Sequence, residues 1–371
     1  MKLAIFLLLS LHAADYYPPP DSGGGWRTRP TDPRFHPVFE YIRTTTRHGG
    51  LLVVHKGWLI YERYFGRAAR DATPNTASCG KMFTSVAMGI YIGEHPEQFP
   101  DGLDQRVFNG NYLPGAIGGP HTAAIRLGHL LTMTAGIRGN NPGIVRGRNV
   151  RLDPPGPDGW EAMRDETALS AGLWCKPGEG YSYATSSIHL VSMILRHLSG
   201  RELERHVEEK IARPLGWLRW GWGYKDRPLS HTPGGGGIAV RATDMLRFGY
   251  LLLREGRWDG RQIIPLDYVR KLRTTSPYNP HTPYSLQFDV DPARGVFWKT
   301  GSGGHALYIV PKSDLVIWKL GGRDEQYSEK NTGLPEPPYD GSREGWQSTV
   351  DAGEAARRTL QMALAAMAAR P

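Results

Sequence analysis

Apolar and polar positions fall into two kinds of run. Leu51 to Val54 and Trp58 to Tyr64 are rich in β-branched and aromatic residues and flank His55-Lys56-Gly57, which predicts a β-hairpin. Strand-type runs return only late, at Val296 to Thr300, Ala306 to Val310 and Leu315 to Leu320, with Pro311-Lys312-Ser313-Asp314 as a turn. Between them, from a run starting near Ser78 to about Trp222, the signals are helical or loop. Arg126 to Met133 is one helical run; Ser187 to Leu198, stopped before Gly200, is another. Thr243-Asp244 predicts an N-cap for a helix over Met245 to Leu253, closed by Gly256. The chain ends in an amphipathic helix whose Leu360, Leu364 and Met367 share a face. Strands at both ends and helices between them predict an α+β fold. Its antiparallel sheet is built from both chain ends and flanked by helices, with a mostly helical insertion. The expected unit runs over 37–371, with an α/β part at about 37–90 and 225–371 and a helical part at about 91–224.

Met1-Lys2, the apolar stretch Leu3 to Leu11 broken by Ser10, and the small residues Ala13-Ala14 predict a signal peptide over 1–14. Nine residues at about 1.5 Å each are too short to cross a hydrocarbon core of about 30 Å. No cysteine follows to carry a lipid, so the expectation is an exported protein, periplasmic or extracellular, without a stable membrane anchor. Residues 15–36, with Pro18-Pro19-Pro20 and Gly23-Gly24-Gly25, are expected to be a linker. Cys79 and Cys175 would then meet an oxidising compartment, and their pairing is left open.

Composition narrows the classes. Over 371 residues, 40% are hydrophobic and 22% charged, ordinary globular values that exclude wholesale disorder. The net charge of +9 is scattered, with no basic stripe interleaved with aromatics, so nucleic acid is not an expected partner. Two cysteines make neither a cysteine zinc site nor a disulfide framework. No H-x-x-x-H or E-x-x-H pairing marks a metal centre, and no cofactor is expected. Gly234-Gly235-Gly236-Gly237 lacks the strand–helix frame and lysine of a phosphate loop, and is expected to be a tight turn. Gly180-Tyr181-Ser182-Tyr183-Ala184 is only a near miss for the G-x-S-x-G elbow of a Ser-His-Asp hydrolase.

The chemistry concentrates at Ser78-Cys79-Gly80-Lys81. From Met82 to Gly93 no residue is charged, and a helix apolar on all sides is buried. Lys81 sits in its first turn, where the helix dipole disfavours a cation. A dehydrated ammonium loses its proton more readily, and a neutral lysine can serve as a base. Ser78 is three residues earlier, on the same face. Serine needs such a base to become a nucleophile, and the helix start aims backbone N–H groups at developing negative charge. The plainer alternative is a capping serine and a lysine that snorkels to water.

Two further stretches weigh against that alternative: Pro177-Gly178-Glu179-Gly180-Tyr181-Ser182-Tyr183-Ala184-Thr185 and Trp298-Lys299-Thr300-Gly301-Ser302-Gly303-Gly304. With S-x-x-K and K-T-G in this order, the chain resembles the serine β-lactamase and penicillin-binding-protein superfamily. It is most similar to the branch holding class C β-lactamases, family VIII esterases and 6-aminohexanoate-oligomer hydrolases. Leu130 to Gly136 and Gly237 to Gly249 support the likeness, which runs from about residue 45 to 320. The resemblance implies that Ser78 forms an acyl-enzyme and that Lys81 is its base or proton relay. It also implies that Tyr183 shuttles a proton, with Tyr181 as its register rival. Lys299, Thr300 and Gly301 would lie on an edge strand flanking the cleft. The N–H of Ser302 would join that of Ser78 as the oxyanion hole, and His305 would be a cleft wall. Substrates would be small esters, amides or β-lactams.

Two departures bear on specificity. The family's Y-x-N reads Tyr183-Ala184-Thr185, so Thr185 has no amide to offer a substrate. The short Gly301-Ser302-Gly303-Gly304-His305 loop resembles the esterase and oligomer-hydrolase branch. The implied function is therefore a secreted serine hydrolase, carboxylesterase-like, with β-lactamase or D-aminopeptidase/DD-peptidase as the alternative. A non-catalytic penicillin-binding-like module is the alternative of another class. Arg138, Arg146, Arg148 and Arg151 form a charged stretch that would either steer acidic substrates or be a solvated loop.

Overall fold

The hairpin forms as its pattern predicts: β1 (Gly49–His55) and β2 (Trp58–Phe65) pair antiparallel, turning at Lys56-Gly57 with both residues at positive φ. The computed structural model describes residues 16–23, 25–113, 121–225 and 227–369; the expected signal peptide lies outside the described residues. Late in the chain come β3 (Tyr284–Ser285), β4 (Phe288–Asp291), β5 (Val296–Gly301), β6 (His305–Val310) and β7 (Leu315–Leu320). Together they make a seven-stranded antiparallel sheet in the order β2-β1-β7-β6-β5-β4-β3. Both chain ends meet where β1 pairs β7, with Leu52 opposite Trp318 and Val53 opposite Ile317.

Strand side chains alternate between faces, and here both faces are covered. On one face Leu51, Val53, Tyr308 and Ile317 pack with Val38, Phe39 and Ile42 of α1 (His36–Arg43) and with Leu360 and Ala363 of the C-terminal helix Ala352–Ala368. On the other, Leu52, Val54, Leu307 and Val316 meet Phe83 and Val86 of α2 (Lys81–Glu94) and Leu246 and Phe248 of the helix Ala242–Leu253. Burial on both faces explains why these antiparallel strands are near-continuous apolar runs. The segment between α2 and residue 225 carries α3 (Thr185–Ser199), ended by Gly200 at φ +68, and otherwise short helices and two-stranded pairs. Among the described residues no helix is long and apolar enough to cross a membrane.

Two expectations need correcting. Residues 16–36 do not behave as a linker where they are described. Trp26 is buried and donates to Thr243 O, while the Arg27–Asp32 backbone bonds along β2 through Leu59 and Ile60. Large aromatic side chains outweigh the proline- and glycine-rich composition. Asp244 is also not an N-cap. The helix begins at Ala242, and Asp244 is buried within it, paired to Arg241 and facing Arg247. Two buried guanidinium groups need that counter-charge more than the helix needs a cap.

Lys319 on β7 is wholly buried, and burial pulls its ammonium down to about 7, with Cys79 opposing. Between about pH 7 and the ordinary lysine value, the unfolded chain therefore binds more protons than the folded one, so stability rises with pH across that window. In Lys319→Met that rise is expected to be smaller. The variant's melting temperature relative to wild type is therefore highest below pH 7 and falls as pH approaches about 10.4. Thermal melts across that range check it.

Candidate active site

Asn75 begins the site. Its Oδ1 accepts the Ala77 N–H at 2.8 Å, and Ala77 sits at φ +50, a left-handed conformation that favours glycine. A 3₁₀ turn, Ala77–Gly80, then leads into α2 at Lys81. With three residues per turn, positions i and i+3 eclipse, so Lys81 Nζ lies 3.0 Å from Ser78 Oγ. Lys81 is 1% exposed and also donates to Gly235 O at 2.6 Å. Burial holds this ammonium below its ordinary value; Tyr183 opposes that shift and Lys299 adds to it.

The glycine run 234–237 makes this approach possible. A Cβ on Gly236 would lie 2.6 Å from Ala77 O, and one on Gly80 would lie 2.7 Å from Gly236 Cα. Gly234 O accepts from Thr84 Oγ1 at 2.6 Å. The run is thus a backbone wall that crosses the Ser78 turn and receives Lys81.

Tyr183 precedes α3, and Lys299 stands on β5. The two ammonium groups lie 5.2 Å (Lys81) and 5.0 Å (Lys299) from the Tyr183 ring centroid. Burial pushes the Tyr183 phenol up, but the charges of Lys299 and Lys81 and hydrogen bonds from Ser78 and Lys299 outweigh it, leaving the phenol below its usual value. Tyr181, the register rival, is driven well above that value by burial and by the nearby Asp289. Lys299 Nζ also donates to Tyr284 Oη at 2.6 Å.

An open cleft of about 490 Å³ fronts Ser78, Lys81 and Tyr183, with Lys299 buried behind its lining. Ser78, Lys81, Tyr183, Thr185 and Ser302 all line it, together with Trp160 and Met163; β5 is not an edge strand, since β4 and β6 pair on either side of it. Gly301 lets β5 press on the nucleophile turn: a Cβ there would lie 2.3 Å from Thr76 O. Thr300 is half-buried on β5 and does not line the cleft. His305 is corrected: it is 1% exposed and stacks on Trp318 behind the cleft, because its Nδ1 takes the Gly321 N–H at 3.0 Å.

The model of the family described as beta-lactamase matches residues 40–330. The chain belongs to the beta-lactamase family. No curated protein sequence matches it. Among solved structures, a Bacillus anthracis protein assigned as a 6-aminohexanoate-dimer hydrolase aligns at 20% identity and TM-score 0.66, covering 94% of this chain and 87% of that one. EstCE1, a hydrolase with promiscuous acyltransferase activity, aligns at 16% and 0.59, covering 78% and 92%. A penicillin-binding-protein homologue from Caulobacter crescentus aligns at 14% and 0.60, covering 91% and 99%. At such identities the likeness shows the fold.

In this beta-lactamase-family chain the Arg138, Arg146, Arg148 and Arg151 stretch does not line the cleft. Arg146 and Arg148 are exposed on the small hairpin 143–150, and Arg138 bonds to Pro154 O. Cys79 and Cys175 are free thiols. Asp165, His189 and His231 bring ligand-type atoms within 4.8 Å of one another. However, Gly234 N–H donates to His189 Nδ1 at 3.2 Å, which puts the ring proton on Nε2, facing Asp165 Oδ1 at 3.4 Å. That proton occupies the side of the His189 ring that faces Asp165, so these two pair as carboxylate and imidazole, with His231 Nδ1 3.2 Å from the same Asp165 oxygen.

Proposed function

We propose that the chain is an exported serine hydrolase that acts by acyl transfer through Ser78 on small esters or amides, with carboxylesterase activity dominant. One observation carries the reading: a dehydrated Lys81 Nζ 3.0 Å from Ser78 Oγ, with the Tyr183 phenol between it and the Lys299 Nζ, whose distances to the ring centroid are 5.2 and 5.0 Å. Ser78 Oγ attacks the acyl carbon, and its proton passes to the Lys81–Tyr183 pair. The resulting oxyanion takes hydrogen bonds from the N–H groups of Ser78 and Ser302. Collapse breaks the bond to the leaving group, which departs with the proton held by the pair. Water then attacks the acyl-enzyme, giving its proton to the pair; as the acid is released, that proton returns to Ser78 Oγ. Residues 1–14 serve as the export signal in this reading.

Thr185 lies on the cleft where the family's asparagine would stand, and a hydroxyl cannot donate as an amide does. The ester reading is therefore favoured over β-lactam hydrolysis. A fluorophosphonate probe followed by peptide mass spectrometry is expected to place one adduct on Ser78. A short-chain p-nitrophenyl ester is expected to turn over faster than nitrocefin. No adduct and no turnover would leave the non-catalytic binding module in its place; faster nitrocefin turnover would make it a β-lactamase.

A further inference from the structure

The mechanism asks for two backbone N–H groups at a fixed spacing, one on the turn after Asn75 and one on the loop after β5. These segments are more than 200 residues apart in sequence. A single side chain, outside every motif read from the sequence, bonds to both.

Gln326 Nε2 donates to Asn75 O at 3.0 Å and to Ser302 O at 3.0 Å. Its Oε1 accepts the Arg323 N–H at 3.0 Å, and its own backbone carbonyl accepts the Asn75 N–H at 2.8 Å. The carboxamide thus uses both of its protons and one lone pair, and is 8% exposed. The fit is close: a Cβ on Gly303 would lie 2.0 Å from Gln326 Oε1.

His305 completes the junction from behind. Because its Nδ1 accepts from Gly321, its proton sits on Nε2, 3.2 Å from Gln326 Nε2. Burial and the nearby Lys319 charge pull the His305 imidazole down to about 3, with the Asn75 backbone opposing. On the loop side, Gly304 N–H bonds Gly301 O at 3.1 Å, and Lys319 Nζ holds Gly304 O at 2.5 Å. The Gly301–Ser302 peptide is therefore gripped by its carbonyl, which leaves the Ser302 N–H on the opposite side.

We propose that Gln326 is a positioning residue for acyl transfer. By holding the Asn75 and Ser302 carbonyls together it sets the gap between the Ser78 and Ser302 amides that bind the oxyanion. The inference rests on the acyl-transfer reading and deepens it. An oxyanion hole gains its effect from donors placed before the reaction begins, and misplacement by about 1 Å can cost on the order of 10²-fold.

Gln326→Met keeps the length and removes both donors. Its kcat for a p-nitrophenyl ester is expected to fall by on the order of 10²-fold, with KM within about threefold, since only the transition state loses stabilisation. A trifluoromethyl ketone, which forms a tetrahedral adduct, should lose affinity by a similar factor, while the product carboxylate binds as before. A merely structural role would not divide the two ligands in this way. Wild-type kcat in this variant, or a rise in KM alone, overturns the proposal. If Gln326→Met does not fold, Gln326→Asn, which keeps the amide but reaches only one carbonyl, is read by the same ratio; full activity there also overturns it. Activity in Ser78→Ala would instead sink the acyl-transfer reading, so the two failures are distinguishable.

Discussion

Ser78→Ala is expected to lower kcat for a short-chain p-nitrophenyl ester by on the order of 10⁴-fold or more, the scale of losing a nucleophile. Its melting temperature should stay close to wild type. The hydroxyl accepts from Lys81 Nζ, and Lys81 keeps its bond to Gly235 O, so the buried amine is not stranded. The alanine methyl occupies the same Cβ position, and the 3₁₀ turn is held by Asn75 and Thr76 rather than by Ser78. Stopped-flow or steady-state hydrolysis beside a thermal melt checks both halves. Retained turnover with a folded protein would overturn the assignment of the nucleophile.

Tyr183→Phe is the second large effect. A positioned acid–base group contributes about 10²–10⁴-fold, and kcat/KM should fall within that range. The pH profile carries the sharper signature. Burial raises the Tyr183 phenol but the two lysines overcome it, so the competent phenolate appears below the ordinary value of about 10. Activity in the wild type therefore rises with pH along a limb on the acid side of free tyrosine. Because Lys81 and Tyr183 interact, that limb belongs to the pair. Lys299→Met removes one stabilising cation and should move the limb to higher pH, whereas Tyr183→Phe should abolish the part due to the phenol. A limb unmoved by Lys299→Met would separate the second lysine from the proton relay.

The fold was legible wherever local patterning and burial coincide. The hairpin, the late strands and the end of α3 at Gly200 all lie where alternation, turn residues and stop signals place them. At the candidate site the sequence made visible those residues whose chemistry is unusual for their position, such as a charge in an apolar helix or a lysine before Thr-Gly. It did not reveal groups that act through the backbone. Gly235 offers only a carbonyl, and its role depends on a crossing with Ala77 and Gly80 that only the folded chain creates. Gln326 follows the sheet in an ordinary polar stretch and acquires meaning from Asn75, about 250 residues earlier. His305 failed as a cleft wall for the same reason: its neighbour Gly321 sits on the segment after β7 and turns the ring inward. Trp26 shows how composition misleads, since one indole can anchor a segment otherwise made of turn formers.

The covering of the sheet by both tails limits how the molecule can be trimmed. The family match stops at residues 40 and 330, yet Phe35, Val38, Phe39, Leu360 and Ala363 all press on the same side of the strands. A fragment cut to those limits would strip that side bare and leave Leu51, Val53 and Ile317 facing water, a sticky plane prone to self-association. Any expression boundary chosen for crystals or assays therefore belongs outside the family match, at the ends where these lids are anchored.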